Sequence, residues 1–205
     1  MTLRAHARAF KLEISNFATL TGWALVAAAI AVLAGWAFNV PALKTFVFDS
    51  VGSKVNSGVA MLLAGVALLR RNHRDLHIYA GLVALIGGMT LAEYYWNVNL
   101  GIDQALIRDN SHYVWFAGRP SQYSSFGFVL LGFSLVFMPA SHWMVRELSR
   151  ALGLLTGMLG ALALLGHLYD THLPNQISPQ ANVAVPTAIG FVLGAVGVQY
   201  ATPGD

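Results

Sequence analysis

The stretch Phe17-Ala-Thr-Leu-Thr-Gly-Trp-Ala-Leu-Val-Ala-Ala-Ala-Ile-Ala-Val-Leu-Ala-Gly-Trp-Ala-Phe-Asn-Val40 contains no charged side chain. A helix needs about 20 apolar residues to cross the roughly 30 Å hydrocarbon core of a bilayer, so this run is long enough to span. Arg4, Arg8 and Lys11 precede it, as basic residues precede the apolar core of a signal peptide. That core is only about 7–15 residues long, and later segments echo this one. The run therefore predicts a retained first span. Five more apolar segments follow, at Val55–Leu69, His77–Trp96, Ser124–Pro139, Arg150–Tyr169 and Val183–Ala201. The expectation is an all-α polytopic membrane protein. A single domain over residues 1–205 holds six transmembrane helices, with a cytoplasmic N-terminal segment 1–16 and an outer loop 97–123.

Composition points the same way. Hydrophobic residues make up 56% and charged residues 10% of the chain, against about 25% charged in an average soluble domain. The mean hydropathy is +0.59. Six spans occupy most of these residues and leave no room among them for a soluble kinase, cyclase or hydrolase domain. The absence of cysteine excludes disulfides, thiol catalysis and Cys-ligated metal. The net charge of +3 arises from short basic clusters beside apolar runs. That is the form of an orientation signal rather than of a nucleic-acid patch.

Placing the N-terminus inside puts Arg4, Arg8, Lys11, Arg70, Arg71, Arg74, Arg146 and Arg150 in the cytoplasm. Lys44, Lys54, Arg108 and Arg119 then fall outside. This bias satisfies the positive-inside rule and predicts an N-in/C-in protein, multi-pass in a bacterial inner membrane. Trp36, Phe38, Tyr94, Tyr95, Trp96 and Tyr169 lie near the outer ends of the odd-numbered spans, where aromatic belts form. Trp23 and Trp143 mark the cytoplasmic side in the same way.

Those outer ends align without gaps as Leu33-Ala-Gly-Trp-Ala-Phe-Asn-Val40, Leu91-Ala-Glu-Tyr-Tyr-Trp-Asn-Val98 and Leu164-Leu-Gly-His-Leu-Tyr-Asp-Thr171. The even-numbered spans align at their starts. Ser57, Ser124 and Thr187 are followed at equal spacing by Met61, Phe128 and Phe191, then by Leu63, Leu130 and Leu193. The pattern predicts three repeated helical hairpins, each running outward and returning. The Ser/Thr hydroxyls are expected to satisfy orphan N–H groups at helix N-termini, and the Asn/Asp positions to form a polar outer rim.

Glu93 stands inside the third span where the other repeats carry Gly35 and Gly166. An ionisable group in a span is a functional hypothesis by default, although a structural acid bonded between helices explains it as well. Its candidate partners are His167, Tyr94, Tyr169 and Arg119. His167 and His172, or His73 and His77, would be metal ligands only with a closed donor set, which the sequence does not supply. No nucleophile motif, phosphate loop or carboxylate pair is present, so no enzyme activity is read from the sequence and no cofactor is assigned. Gly153/Gly157 and Gly190/Gly194 have the spacing of close helix packing, expected here to act within the bundle.

The residues also resemble a known family. The chain is similar to the multi-span N-terminal region found ahead of PAS, diguanylate cyclase and histidine kinase domains in bacterial signalling proteins. The resemblance runs from about Gly22 to Pro203. It rests on Gly35-Trp36, Asn56-Ser57, Thr90-Leu-Ala-Glu93-Tyr94, Leu100-Gly-Ile-Asp-Gln104, Gly118-Arg119, Gly166-His167-Leu-Tyr169 and Thr187-Ala-Ile-Gly-Phe191. The family usually carries Asn-Thr where Tyr123-Ser124 stand here, and Met and His where Val183 and Pro186 stand.

The resemblance implies a non-enzymatic, membrane-embedded sensory input module, here without its output domain. An outer-leaflet ligand pocket lined by Glu93, Tyr94, Trp96, Arg119, His167 and Tyr169 is expected to bind a lipid, quinone or small polar ligand. Besides the lipid bilayer, the expected partner is a separate signalling output protein. The alternative is an accessory structural subunit of a larger membrane complex of respiratory or photosynthetic type, whose partners are the other subunits. A transporter is the weaker third reading, because only one acid lies in a span and no broken-helix signal occurs at midplane.

Overall fold

A computed structural model describes residues 3–47, 51–109, 116–169 and 182–201, with side chains described from Asn16 onward. Among these residues the structure is helical throughout and contains no strand. The helices are α1 (Leu3–Ala37), α2 (Pro41–Thr45), α3 (Val55–Leu69), α4 (Leu76–Tyr95), α5 (Gln122–Phe137), α6 (Trp143–Leu168) and α7 (Val185–Ala201), with a single 3-10 turn at Ile102–Gln104. Three segments are long and apolar enough to cross a membrane: Asn16–Ala37 of α1, all of α4 and all of α6. They mark a membrane protein.

α1 packs on α3, α3 on α4, α4 on α5, α5 on α6, α6 on α7, and α7 returns to α1. The six helices thus close a ring. The shorter α3, α5 and α7 also touch one another across its middle, so they form an inner layer flanked by the three long helices. Burial follows the sequence alignment. Ala18, Gly22, Leu25, Ala29 and Val32 of α1 are buried, as are Leu76, Ala80, Val83, Gly87 and Thr90 at the aligned positions of α4. Ser149, Gly153, Thr156 and Gly160 continue the same stripe in α6.

In the inner layer, Met61, Phe128 and Phe191 are all buried, the two rings meeting edge to face at 5.0 Å. Met61 lies against Gly190, where an added Cβ would stand 2.8 Å from its Cε. Gly157 is similarly close to Ala195, and Gly194 to Leu131, so the Gly-x-x-x-Gly pairs face neighbours within the bundle.

The segment limits read from sequence agree with the helices to within a few residues, except that α1 begins at Leu3, well before Phe17, and α6 at Trp143, well before Arg150. The hydroxyls differ from expectation. Ser57, Ser124 and Thr187 lie inside their helices rather than at the caps. α5 is capped instead by Ser121, whose Oγ accepts from Ser124 N at 3.1 Å. Thr187 is used sideways: its Oγ1 and Ser53 Oγ are 2.8 Å apart, joining the approach to α3 with α7. Neither α2 nor the 3-10 turn was foreseen.

At one end of the bundle the connections are tight. Ser134 and Ser149 each donate a hydroxyl to the other's carbonyl at 2.7 Å, pinning α5 to α6. Arg70 donates from Nη2 to Asp75 at 2.5 Å, bracing the α3–α4 turn. This hydrogen bond holds the Asp75 carboxyl below its ordinary value of 3.8. A depressed carboxyl stabilises the fold above its unfolded value and loses that contribution as pH falls through the folded one. Protection of the turn's amides, taken relative to the intrinsic exchange rate at each pH, is therefore expected to be flat around neutrality and to fall only below about pH 4.

Candidate functional site

The opposite end carries the long connections, and one hydrogen bond recurs there. Trp36 Nε1 donates to Ser53 O at 2.8 Å, and Tyr94 Oη donates to Pro120 O at 3.0 Å. His167 Nε2 lies 2.9 Å from Val183 O; since a carbonyl only accepts, this nitrogen carries the proton. The three rings occupy the same position of the aligned helix ends. Their three acceptors stand at equal distance ahead of Ser57, Ser124 and Thr187. Each ring clamps the irregular backbone that leads into a short inner helix. The need is physical: α3 has only 15 residues, so it falls short of a full bilayer crossing at 1.5 Å per residue. Non-helical backbone at membrane depth is tolerated only where protein satisfies it. Replacing Tyr94 with phenylalanine should therefore cost about 1–3 kcal/mol, the penalty of an unsatisfied buried acceptor. The exposed Tyr95 supplies the control, since Tyr95→Phe should leave the unfolding midpoint in place.

The remaining positions of the pattern are also accounted for. Asn39 and Asn97 adopt left-handed backbone, with φ of 53° and 50°. Val40 N then bonds Gly35 O at 2.8 Å and Val98 N bonds Glu93 O at 3.2 Å, the wrap-around bond of a Schellman helix end. These asparagines terminate the helices rather than merely forming a polar rim; Asp170 lies outside the described residues. Phe38, Trp96 and Tyr169 share the outward position and are 77%, 66% and 76% exposed, as headgroup-level rings are.

Glu93 is where the aligned helix ends part company. At Gly35 an added Cβ would meet Leu43 Cβ at 2.8 Å, because α2 rests directly on the glycine. At Glu93 the chain is instead received by a carboxylate: Leu100 N donates to Oε1 at 2.7 Å. Arg119 Nε lies 3.4 Å from Glu93 Oε2 and 2.6 Å from Asp103 Oδ2, and all three side chains are buried. The guanidinium stacks on Phe116 at 4.4 Å and on Tyr94 at 5.2 Å, contacts that Arg makes better than Lys.

A second knot lies alongside. Gln104 donates to Ala117 O and accepts from Asp109 N, both at 2.9 Å. Asp109 Oδ2 receives Gly118 N at 3.0 Å and pairs with Lys54 at 2.5 Å. Asn56 Nδ2 donates to Ile102 O at 3.1 Å. Together these bonds form a clasp that ties the α4–α5 loop to α4 and to the start of α3.

Of the residues expected to line a pocket, Glu93, Tyr94 and Arg119 come together. Trp96 and Tyr169 stand outward, and His167 serves a different backbone clamp. Asp103 and the Lys54–Asp109 pair were not anticipated as partners of the site, although Asp103 belongs to the Leu-Gly-Ile-Asp-Gln stretch singled out from the sequence. No group of three or more His, Cys, Asp or Glu able to hold a metal occurs among the described residues, and His172 lies outside them. The structure thus defines a helical, membrane-type bundle whose long loop is clasped by buried ions. Comparison with protein families, curated proteins and solved structures gives no match.

Proposed function

We propose that this chain is a membrane-embedded signal-input module: six spans in three outward-and-return hairpins, N-in and C-in, in a bacterial inner membrane. The clasped outer loop is the part that meets a ligand, and Glu93, Tyr94 and Arg119 are the residues that transmit its state to α4. One observation carries the reading. Glu93, Leu100, Asp103, Gln104, Gly118 and Arg119, which carry the resemblance to signalling proteins, all take part in the two adjoining knots of the clasp. The matched ring clamps and burial stripes support the threefold repeat. Lys54 and Arg119 are paired with acids at the loop end, which deepens the charge asymmetry behind the orientation. A ligand shifts such a module only by binding two arrangements of the loop unequally.

One feature favours the second reading, an accessory subunit of a larger membrane complex. The α6 span is only 17% buried, against 33% for the α1 and α4 spans. Leu154, Leu155, Met158, Leu162 and Leu165 are exposed along it, a face for lipid or for a neighbouring subunit.

Extraction from native membranes in mild detergent, then size separation and mass spectrometry, separates the readings. Migration alone, or with a kinase or cyclase, is the expected result. Co-migration with a fixed set of complex subunits would overturn the sensor.

A further inference from the structure

Within the clasp, Glu93 Oε2 and Asp103 Oδ1 are buried oxygens that receive no hydrogen bond. The other oxygen of each carboxyl is engaged, by Leu100 N and by Arg119 Nε. The two carboxyls meet at one nitrogen, Arg119 Nε, at 3.4 Å from Glu93 and 2.6 Å from Asp103. Two carboxylates beside one guanidinium leave one negative charge uncompensated in a site closed to water, which is costly.

Among the described residues, the other charged and titratable groups nearby do not supply the missing charge. The Tyr94 hydroxyl is committed to Pro120 O. Lys54 and Asp109 neutralise one another. The α3, α5 and α7 helices contain no Asp, Glu, Lys, Arg or His.

We infer that Glu93 and Asp103 share one bound proton, which bridges their two unpartnered oxygens and makes the clasp electroneutral. A protonated carboxyl is a donor as well as an acceptor, so one proton satisfies both orphan atoms. Its loss to solvent at high pH leaves two carboxylates facing each other, and the loop loosens from α4. The inference rests on the geometry of the clasp and holds whichever partner the protein has.

Infrared spectra of the protein in lipid vesicles test it. The wild type is expected to show the carbonyl band of a protonated carboxyl at neutral pH, fading as the sample is made alkaline. Glu93→Gln and Asp103→Asn should each abolish the band yet keep a near wild-type unfolding midpoint, because an amide N–H can cross the same gap without charge. Absence of the band from the wild type overturns the inference, whether or not the variants fold. So does its persistence in both variants, or a loss of stability in both as large as that of Arg119→Gln.

Discussion

Replacing Arg119 with glutamine is expected to destabilise the protein by about 3–5 kcal/mol, the usual cost of removing one partner from a buried ion pair. The substitution strips the guanidinium from Asp103 at 2.6 Å and from Glu93 at 3.4 Å, and leaves negative charge in a site that water does not reach. It also removes the flat cation held against the Phe116 and Tyr94 rings. Arg119→Lys should recover only part of the loss, since an ammonium lacks the planar fork that engages Asp103 while stacking on a ring. Arg108, exposed on the same loop, gives the control: Arg108→Gln should stay within about 0.5 kcal/mol of wild type. Unfolding of the variants in one detergent reads all three. A midpoint for Arg119→Gln close to that of Arg108→Gln would mean that the ion cluster does not hold the loop.

The helix positions, the threefold spacing and the pairing of Glu93 with Arg119 were legible in the sequence; the reasons for the spacing were not. Leu33, Trp36, Phe38 and Asn39 recur because a helix end fixes which residue faces inward, which outward and which turns the chain. Spacing alone shows the recurrence. It does not show that Trp36, Tyr94 and His167 are donors, because their acceptors are the carbonyls of Ser53, Pro120 and Val183. Those three residues share no side-chain chemistry, and a carbonyl leaves no trace in a sequence. His167 therefore read as a companion of Glu93 when it belongs to the clamp between the end of α6 and the approach to α7. Arg119 could be paired with Glu93 from charge and proximity to the outer end. Asp103 could not, because its place depends on how the loop turns at Gly101 and Gly118, whose φ values are 76° and 78°. The short α2 had a local signal in Pro41 at its first turn, too brief to weigh against the surrounding loop.

Gly118→Ala is the other substitution expected to act strongly, at a combined cost on the order of 3 kcal/mol. Two separate penalties meet at this residue. Its left-handed backbone costs a residue with a Cβ about 1–2 kcal/mol. An added Cβ would also press on the carbonyl oxygen of Asp103, a backbone atom that cannot swing aside as a side-chain tip does. Relief requires the loop to move, yet Gly118 N is bonded to Asp109, the acid paired with Lys54, and the next residue is Arg119. The overpacking term, typically 1–3 kcal/mol, therefore falls on both halves of the clasp, and proteolysis in the α4–α5 loop should accelerate. Gly101→Ala separates the two penalties: its φ is nearly the same, but nothing lies within 4 Å of the added Cβ. Gly101→Ala should show the backbone cost alone, and the difference between the variants measures the close approach of Gly118 to Asp103. Equal losses at the two glycines would show that this approach contributes nothing to holding the loop, and would leave Arg119 as its main fastening.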